Sequence, residues 1–194
     1  MNIIVLGAGY VGLSNALLLS KNHNVKLIDI DEIKISLLTK RRSPISDERV
    51  EKYLLNKNLN IAFSTSYGNE IKLADAVVIA TPTNFDSKTK SFDTSSIEDS
   101  LKKLSKKNYN NLVIIRSTIP IGFTKKMQRK YREMDIAFFP EFLREGCALE
   151  DNLYPSRIVC GSKSNRAKKF LNVLKSCAKK KNIPSLITDS SEAE

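Results

Sequence analysis

Histidine is almost missing from this chain. His23 stands alone among 194 residues, in the polar stretch Lys21-Asn22-His23-Asn24, where a solvated surface histidine is expected. Cysteine is scarce as well. Cys147, Cys160 and Cys177 are an odd number without CxxC spacing, which argues against a disulfide framework and against a zinc site. No metal is therefore expected. No apolar run reaches the roughly 18 residues of a membrane span. The first residues, Met1-Asn2-Ile3-Ile4-Val5, carry no charged n-region and no cleavage site, so a secretory signal is not expected and the cytoplasm is the default location. Internal repeats, low-complexity tracts and an obvious interdomain linker are also lacking.

Acidic residues are in deficit. Lys and Arg number 32 against 21 Asp and Glu, a net charge of +11. Such a balance suits either a phosphate-binding nucleic-acid protein or a globular domain with solvated basic faces. The cations are scattered in short clusters such as Lys40-Arg41-Arg42, Lys102-Lys103 and Lys179-Lys180-Lys181, beside apolar stripes of amphipathic helices. They lack the interleaved aromatics of a single-strand platform. Solvated faces that help steer phosphorylated ligands are the better account, with no nucleic-acid and no membrane partner. Hydrophobic residues, at 41%, suffice for a buried core.

Short apolar runs alternate with helical patterns, which signals βαβ units and a parallel sheet. Strands are predicted at 3–6, 25–28, 61–63, 76–80, 112–115, 136–139, 158–160 and 185–187. Helices are predicted at 10–20, 32–39, 48–56, 67–73, 97–106, 124–134 and 165–180, with Asp47 capping the one from Glu48. Residues 81–96 form a long polar connection of the kind that is often functional. The fold class expected is α/β: a Rossmann-like, doubly wound, mostly parallel sheet flanked by helices. One domain spans 1–188. Residues 189–194, ending Ser190-Ser191-Glu192-Ala193-Glu194, read as the start of a truncated connecting helix.

Four motifs follow predicted strands. Gly7-x-Gly9-x-x-Gly12 sits between a strand and a helix, with Asp29 at the tip of the next strand. In that setting Gly7 permits the turn, Gly9 lets the backbone approach a pyrophosphate and Gly12 lets helix and strand pack closely. The helix N-terminus favours the anion, and Asp29 accepts from ribose hydroxyls while repelling a 2′-phosphate, so NAD is favoured over NADP. A ligand-free glycine turn is the bland alternative. Ala80-Thr81-Pro82-Thr83 ends a buried strand, either lining a cleft or merely turning. Arg116-Ser117-Thr118-Ile119-Pro120-Ile121-Gly122 is a capping turn or a polar cleft wall. In Pro140-Glu141-Phe142-Leu143-Arg144-Glu145-Gly146, Glu141 and Glu145 would share a face if helical, as an acid–base pair or as a solvated one.

In this order, these motifs resemble those of the UDP-glucose/GDP-mannose dehydrogenase family. Asn152-Leu153-Tyr154-Pro155-Ser156-Arg157-Ile158 and Ser191-Glu192-Ala193-Glu194 further resemble its short bacterial members that act on UDP-glucose. The resemblance covers the whole chain and implies a reaction. The sugar C6 alcohol is oxidised to a carboxylate by two hydride transfers to two NAD+, through an aldehyde and an enzyme thioester. It implies that Gly7, Gly9, Tyr10, Val11, Gly12, Asp29, Lys34, Thr81, Pro82 and Thr83 bind NAD. Thr118 also contacts the cofactor and helps hold the catalytic water. Glu141 acts in thioester hydrolysis as, or beside, the general base. Glu145 lies between cofactor and substrate, and Glu141, Phe142, Leu143, Arg144 and Glu145 line the sugar pocket. Catalytic roles thus fall to Thr118, Glu141 and Glu145.

The family's nucleophilic cysteine lies in a glycine-rich loop that none of Cys147, Cys160 and Cys177 matches, although Cys147 falls nearest the cleft. The isolated chain is therefore expected to bind NAD without completing the oxidation. The resemblance implies a homodimer for a full-length member and leaves a monomer open for this chain. Related dehydrogenases of UDP-N-acetylmannosamine or GDP-mannose, and a non-catalytic NAD-binding module, are the competing readings.

Overall fold

In a computed structural model, which describes residues 1–87 and 90–194, the chain opens with β1 (Asn2–Leu6) and α1 (Tyr10–Ser20). It continues through β2 (Asn24–Ile28), α2 (Glu32–Thr39), α3 (Glu48–Leu54), β3 (Ile61–Ser64), a 3-10 turn (Asn69–Leu73) and β4 (Ala76–Ile79). Next come β5 (Phe85–Asp86), β6 (Ser91–Phe92), α4 (Ser95–Lys106), β7 (Leu112–Ile115), α5 (Phe123–Lys130) and β8 (Asp135–Phe138). The chain closes with α6 (Ala148–Leu153), β9 (Ile158–Cys160), α7 (Asn165–Cys177), β10 (Ser185–Ile187) and α8 (Ser190–Ala193).

Six strands form one all-parallel sheet in the order β3-β2-β1-β4-β7-β8, the doubly wound order in which the chain reverses direction beside its first strand. Helices cover both faces, so the central strands are apolar without alternation. β1 divides its residues accordingly. Ile3 and Val5 pack with Leu13, Leu17 and Phe170, while Ile4 and Leu6 pack with Leu101, Phe123 and Met127. Local chemistry starts the helices as expected. Asp31 accepts from Ile33 N and Lys34 N, Asp47 from Arg49 N and Val50 N, and Ser164 from Ala167 N.

Several boundaries differ from the sequence reading, each for a tertiary reason. The helix expected over 124–134 stops at Lys130, because Tyr131 leaves helical geometry and both Tyr131 and Met134 turn into the core. The helix expected to reach 180 stops at Cys177, because Lys179 N and Lys180 N both donate to Leu153 O. The run 67–73 is a 3-10 turn from Asn69, and α3 ends at Leu54 rather than 56. The connection 81–96 carries a small hairpin of β5 and β6, joined by the edge-to-face rings of Phe85 and Phe92, 5.2 Å apart. Its residues 88 and 89 lie outside the described residues. α6 was not anticipated. It is one and a half turns long, too short for a periodic signal, and Asn152 Nδ2 ties it to Ser14 Oγ of α1 at 2.9 Å.

His23 is half-buried rather than solvated. Its Nδ1 lies 3.4 Å from the N-terminal amine, and burial lowers its pKa. Among the described residues no helix is long and apolar enough to cross a membrane, and no three His, Cys, Asp or Glu gather to hold a metal.

Candidate functional site

Register brings the motifs together. Leu6 pairs with Ile28 and with Ile79, Ile79 with Ile115, and Ile115 with Phe138, so five strands end level with one another. Ladder bonds carry the alignment one residue further, from Gly7 N to Ile28 O (2.8 Å), Ala80 N to Leu6 O (2.8 Å), Arg116 N to Ile79 O (2.8 Å) and Phe139 N to Ile115 O (2.9 Å). Every motif of the sequence reading thus leaves the sheet at its carboxyl edge, where open α/β sheets bind ligands.

The glycine turn is shaped by contact. Gly7 has φ +102°, and a Cβ there would meet Ala80 O at 2.4 Å. A Cβ on Gly12 would meet Gly7 O at 1.8 Å, so the strand and α1 can approach this closely only without one. Gly9 differs, since its Cβ would meet nothing within 4 Å. It caps α1 without a side-chain bond, and α1 has no acid in its first turn. The uncapped amides of Tyr10 and Val11 therefore open on free space, with the positive end of the helix dipole behind them. That is an anion cradle, and a dinucleotide pyrophosphate fits it.

Asp29 has a second role that the motif did not reveal. Its Oδ2 accepts from Ala8 N at 2.6 Å and its Oδ1 from Asp31 N at 2.9 Å. The carboxylate thus holds the glycine turn against the tip of β2, and each oxygen keeps a lone pair for a ribose hydroxyl. Lys34 stands in the first turn of α2, with Nζ 4.0 Å from Asp31. On the other side of the cradle, Thr81 Oγ1 lies 2.9 Å from Ser96 Oγ, and Thr81 O accepts from Ser117 Oγ at 2.6 Å. Pro82 is exposed and Thr83 half-buried. Thr118 is exposed on the turn that follows the buried Arg116 and Ser117.

A cavity of about 470 Å³ lies beyond β7 and β8, lined among others by Arg116, Glu141, Phe142, Leu143, Arg144 and Arg157. Glu141 Oε2 and Arg116 Nε are both buried without a hydrogen-bond partner among the described residues. Burial pushes the Glu141 carboxyl up to about 7, against the opposing pull of the Arg116 charge. Burial also lowers the pKa of Arg116, which the Glu141 charge partly offsets. A carboxyl that exchanges its proton near neutrality is suited to general acid–base work.

The structure corrects one expectation about this stretch. Residues 141–144 are not helical, so Glu141 and Glu145 do not share the face of a helical turn. Glu141 points into the cavity, whereas Glu145 is exposed in the turn with Gly146 and contributes nothing to the Glu141 shift. The cause is Asp151 on α6. It takes Arg144 in a two-pronged pair (Nη2–Oδ1 2.7 Å, Nε–Oδ2 3.1 Å) and accepts Arg144 N at 2.9 Å, which holds the chain open. Through that pair Asp151 raises the pKa of Arg144, and Arg144 lowers that of Asp151.

Sequence reasoning singled out neither Arg116 nor Arg157 as site residues. The Arg157 guanidinium stacks 3.8 Å above the Phe142 ring, pinning the mouth of the cavity. No spacing rule would have found it, because the contact joins two loops. Cys147 is exposed at the start of α6 and is not among the residues that line the cavity. Cys160 and Cys177 are buried, and burial raises both thiols.

A doubly wound parallel sheet with an uncapped glycine turn and an acid at the second strand tip defines a dinucleotide-binding domain of a dehydrogenase. The match to known families makes this specific. Residues 1–177 match the UDP-glucose/GDP-mannose dehydrogenase family, NAD binding domain, and the chain belongs to that family. Its cofactor is NAD. The chain is 44% identical over 200 residues to a UDP-glucose 6-dehydrogenase of Streptococcus pneumoniae, covering 100% of this chain and 51% of that protein. It is 46% identical over 197 residues to one of Campylobacter jejuni, covering 100% of this chain and 50% of that protein. Among solved structures, a UDP-glucose dehydrogenase from Pyrobaculum islandicum superposes with a TM-score of 0.85 at 29% identity, over 99% of this chain and 47% of that one. The chain thus spans about half the length of the curated relatives it matches.

Proposed function

We propose that this chain is the cofactor-binding half of an enzyme that oxidises the C6 alcohol of UDP-glucose to a carboxylate at the expense of two NAD+. The observation that carries the reading is the Glu141 carboxyl, whose Oε2 is buried without a partner among the described residues, beside Arg116 where the sheet edge meets the cavity, and which burial pushes up to about 7. The high identity to UDP-glucose 6-dehydrogenases along the full chain supports UDP-glucose over related sugar nucleotides.

When bound, NAD+ supplies the hydride acceptor. The amides of Tyr10 and Val11 bind its pyrophosphate, and Gly7, Gly9 and Gly12 clear the approach. Asp29 accepts from the adenosine ribose, with Lys34 nearby. Thr81, Pro82 and Thr83, just after the end of β4, would also contact the cofactor. The Thr118 hydroxyl orients the catalytic water, and Glu141 takes its proton when the acyl intermediate is hydrolysed. Phe142, Leu143 and Arg144 line the sugar pocket, with Glu145 on the exposed turn beside them. None of the cysteines serves as nucleophile, since Cys160 and Cys177 are buried and Cys147 does not line the cavity.

The test follows amide resonances of the NAD+-loaded chain during titration with UDP-glucose, while NADH is monitored. Shifts at Phe142, Leu143 and Arg144 without steady NADH formation are expected. Steady NADH production, or shifts confined to other surfaces, contradicts the assignment.

A further inference from the structure

The sequence of α5 provides a poor start for a helix. Its N-cap, Gly122, sits at φ +86° and offers no side chain to accept a bond. Its first turn has no acid. Lys125 and Lys126 instead place positive charge near the positive end of the dipole. Two of its leading amides nevertheless find strong acceptors at the far end of the chain. Gly122 N donates to Glu194 Oε2 at 2.5 Å and Thr124 N to Glu194 Oε1 at 2.7 Å. One carboxylate satisfies two donors and supplies the missing negative charge.

The segment that delivers Glu194 is itself firmly seated. Asp189 caps α8 by accepting from Ser191 N and Glu192 N, and it pairs with Lys125 at 3.5 Å. Thr188 and Ser190 are buried. Gly161 admits α8 against the sheet, since a Cβ there would meet Ala193 Cβ at 2.7 Å and Phe138 O at 2.9 Å.

Between β7 and α5 runs the turn that carries Thr118. At its start, Ser117 is tied to Thr81 O, and Ile119 is buried. At its end, Gly122 is held by the Glu194 carboxylate. We infer that Glu194 is a positioning residue: it caps α5 from α8 and thereby fixes the turn that presents Thr118 to the coenzyme cleft. This inference rests on the reading of Thr118 as a site residue. It assigns to the residues that follow the sheet a direct hold on one wall of the site.

The test compares the chain with Glu194→Ala and Glu194→Gln by amide exchange at Gly122 and Thr124, by the Thr118 amide resonance and by NAD+ titration. Glu194→Gln keeps one carbonyl acceptor without the charge, and so reports on the contact if the alanine variant folds poorly. In Glu194→Ala, exchange at both amides is expected to rise about fivefold or more, as for a lost cap. The Thr118 resonance is expected to move, NAD+ affinity to fall severalfold, and Glu194→Gln to recover part of each change. Amides of the glycine turn, 7–12, should keep their wild-type exchange. Unchanged exchange at Gly122 and Thr124 overturns the cap. Faster exchange with an unmoved Thr118 resonance and unchanged affinity overturns the positioning role. If the wild-type chain binds no NAD+, the reading of the site fails, and the exchange and resonance arms still decide the inference.

Discussion

The half-buried carboxyl of Glu141 makes a prediction that needs no substrate. Its pKa is about 7 in the folded chain, against an ordinary 4.5. Between those values the folded chain keeps a proton that the unfolded chain has lost, so stability falls as pH rises. The contribution is fully present below about 4.5 and gone above about 7. By linkage the loss is on the order of 3 kcal/mol, an upper bound because Glu141 retains some exposure. Glu141→Gln removes the titration and keeps the shape. Urea denaturation of both proteins across this interval reads the difference directly. The variant should gain on the wild type as pH rises through the interval, and the gain should level off beyond it. A stability difference that stays flat would show that Glu141 ionises as an ordinary carboxyl, and the acid–base role would lose its physical basis.

Gly12→Ala drives a Cβ into Gly7 O, so α1 must leave β1. A loss of about 2 kcal/mol or more and abolished NAD+ binding are expected, read by thermal unfolding with and without NAD+. Asp29→Asn leaves one oxygen to serve both Ala8 N and Asp31 N. It should cost about 1–2 kcal/mol and narrow the preference for NAD+ over NADP+, as measured by parallel titrations. Arg157→Ala frees the Phe142 ring at a cost of no more than about 1 kcal/mol. The Phe142 ring resonances should shift while those of the glycine turn stay put.

Much of the sheet was legible because its central strands are uninterrupted apolar runs, and a run such as Ala76–Ile79 can only be buried on both faces. The glycine turn was legible for a similar reason. Gly7 and Gly12 answer to backbone contacts at Ala80 O and Gly7 O, and Gly9 to open space before α1, so the motif and the geometry agree position by position. That Glu141 and Glu145 share no helical face was not legible, because the setting of Glu145 is not local. Whether 141–145 coils or extends is decided by Asp151 on α6, and α6 is too short to leave a period in the sequence. Arg116 was hidden in a motif read for its hydroxyls, and only the structure shows its guanidinium buried against the cavity. The ends of α5 and α7 moved because Tyr131, Met134 and Leu153 O draw the chain elsewhere.

The central claim is that the uncapped turn before α1, with Asp29 beside it, holds NAD. Calorimetric titration of the chain with NAD+ and NADP+ at fixed salt tests it most directly. Saturable NAD+ binding with much weaker NADP+ binding is the predicted result. A folded chain that takes up no NAD+, or binds both dinucleotides equally, would contradict it.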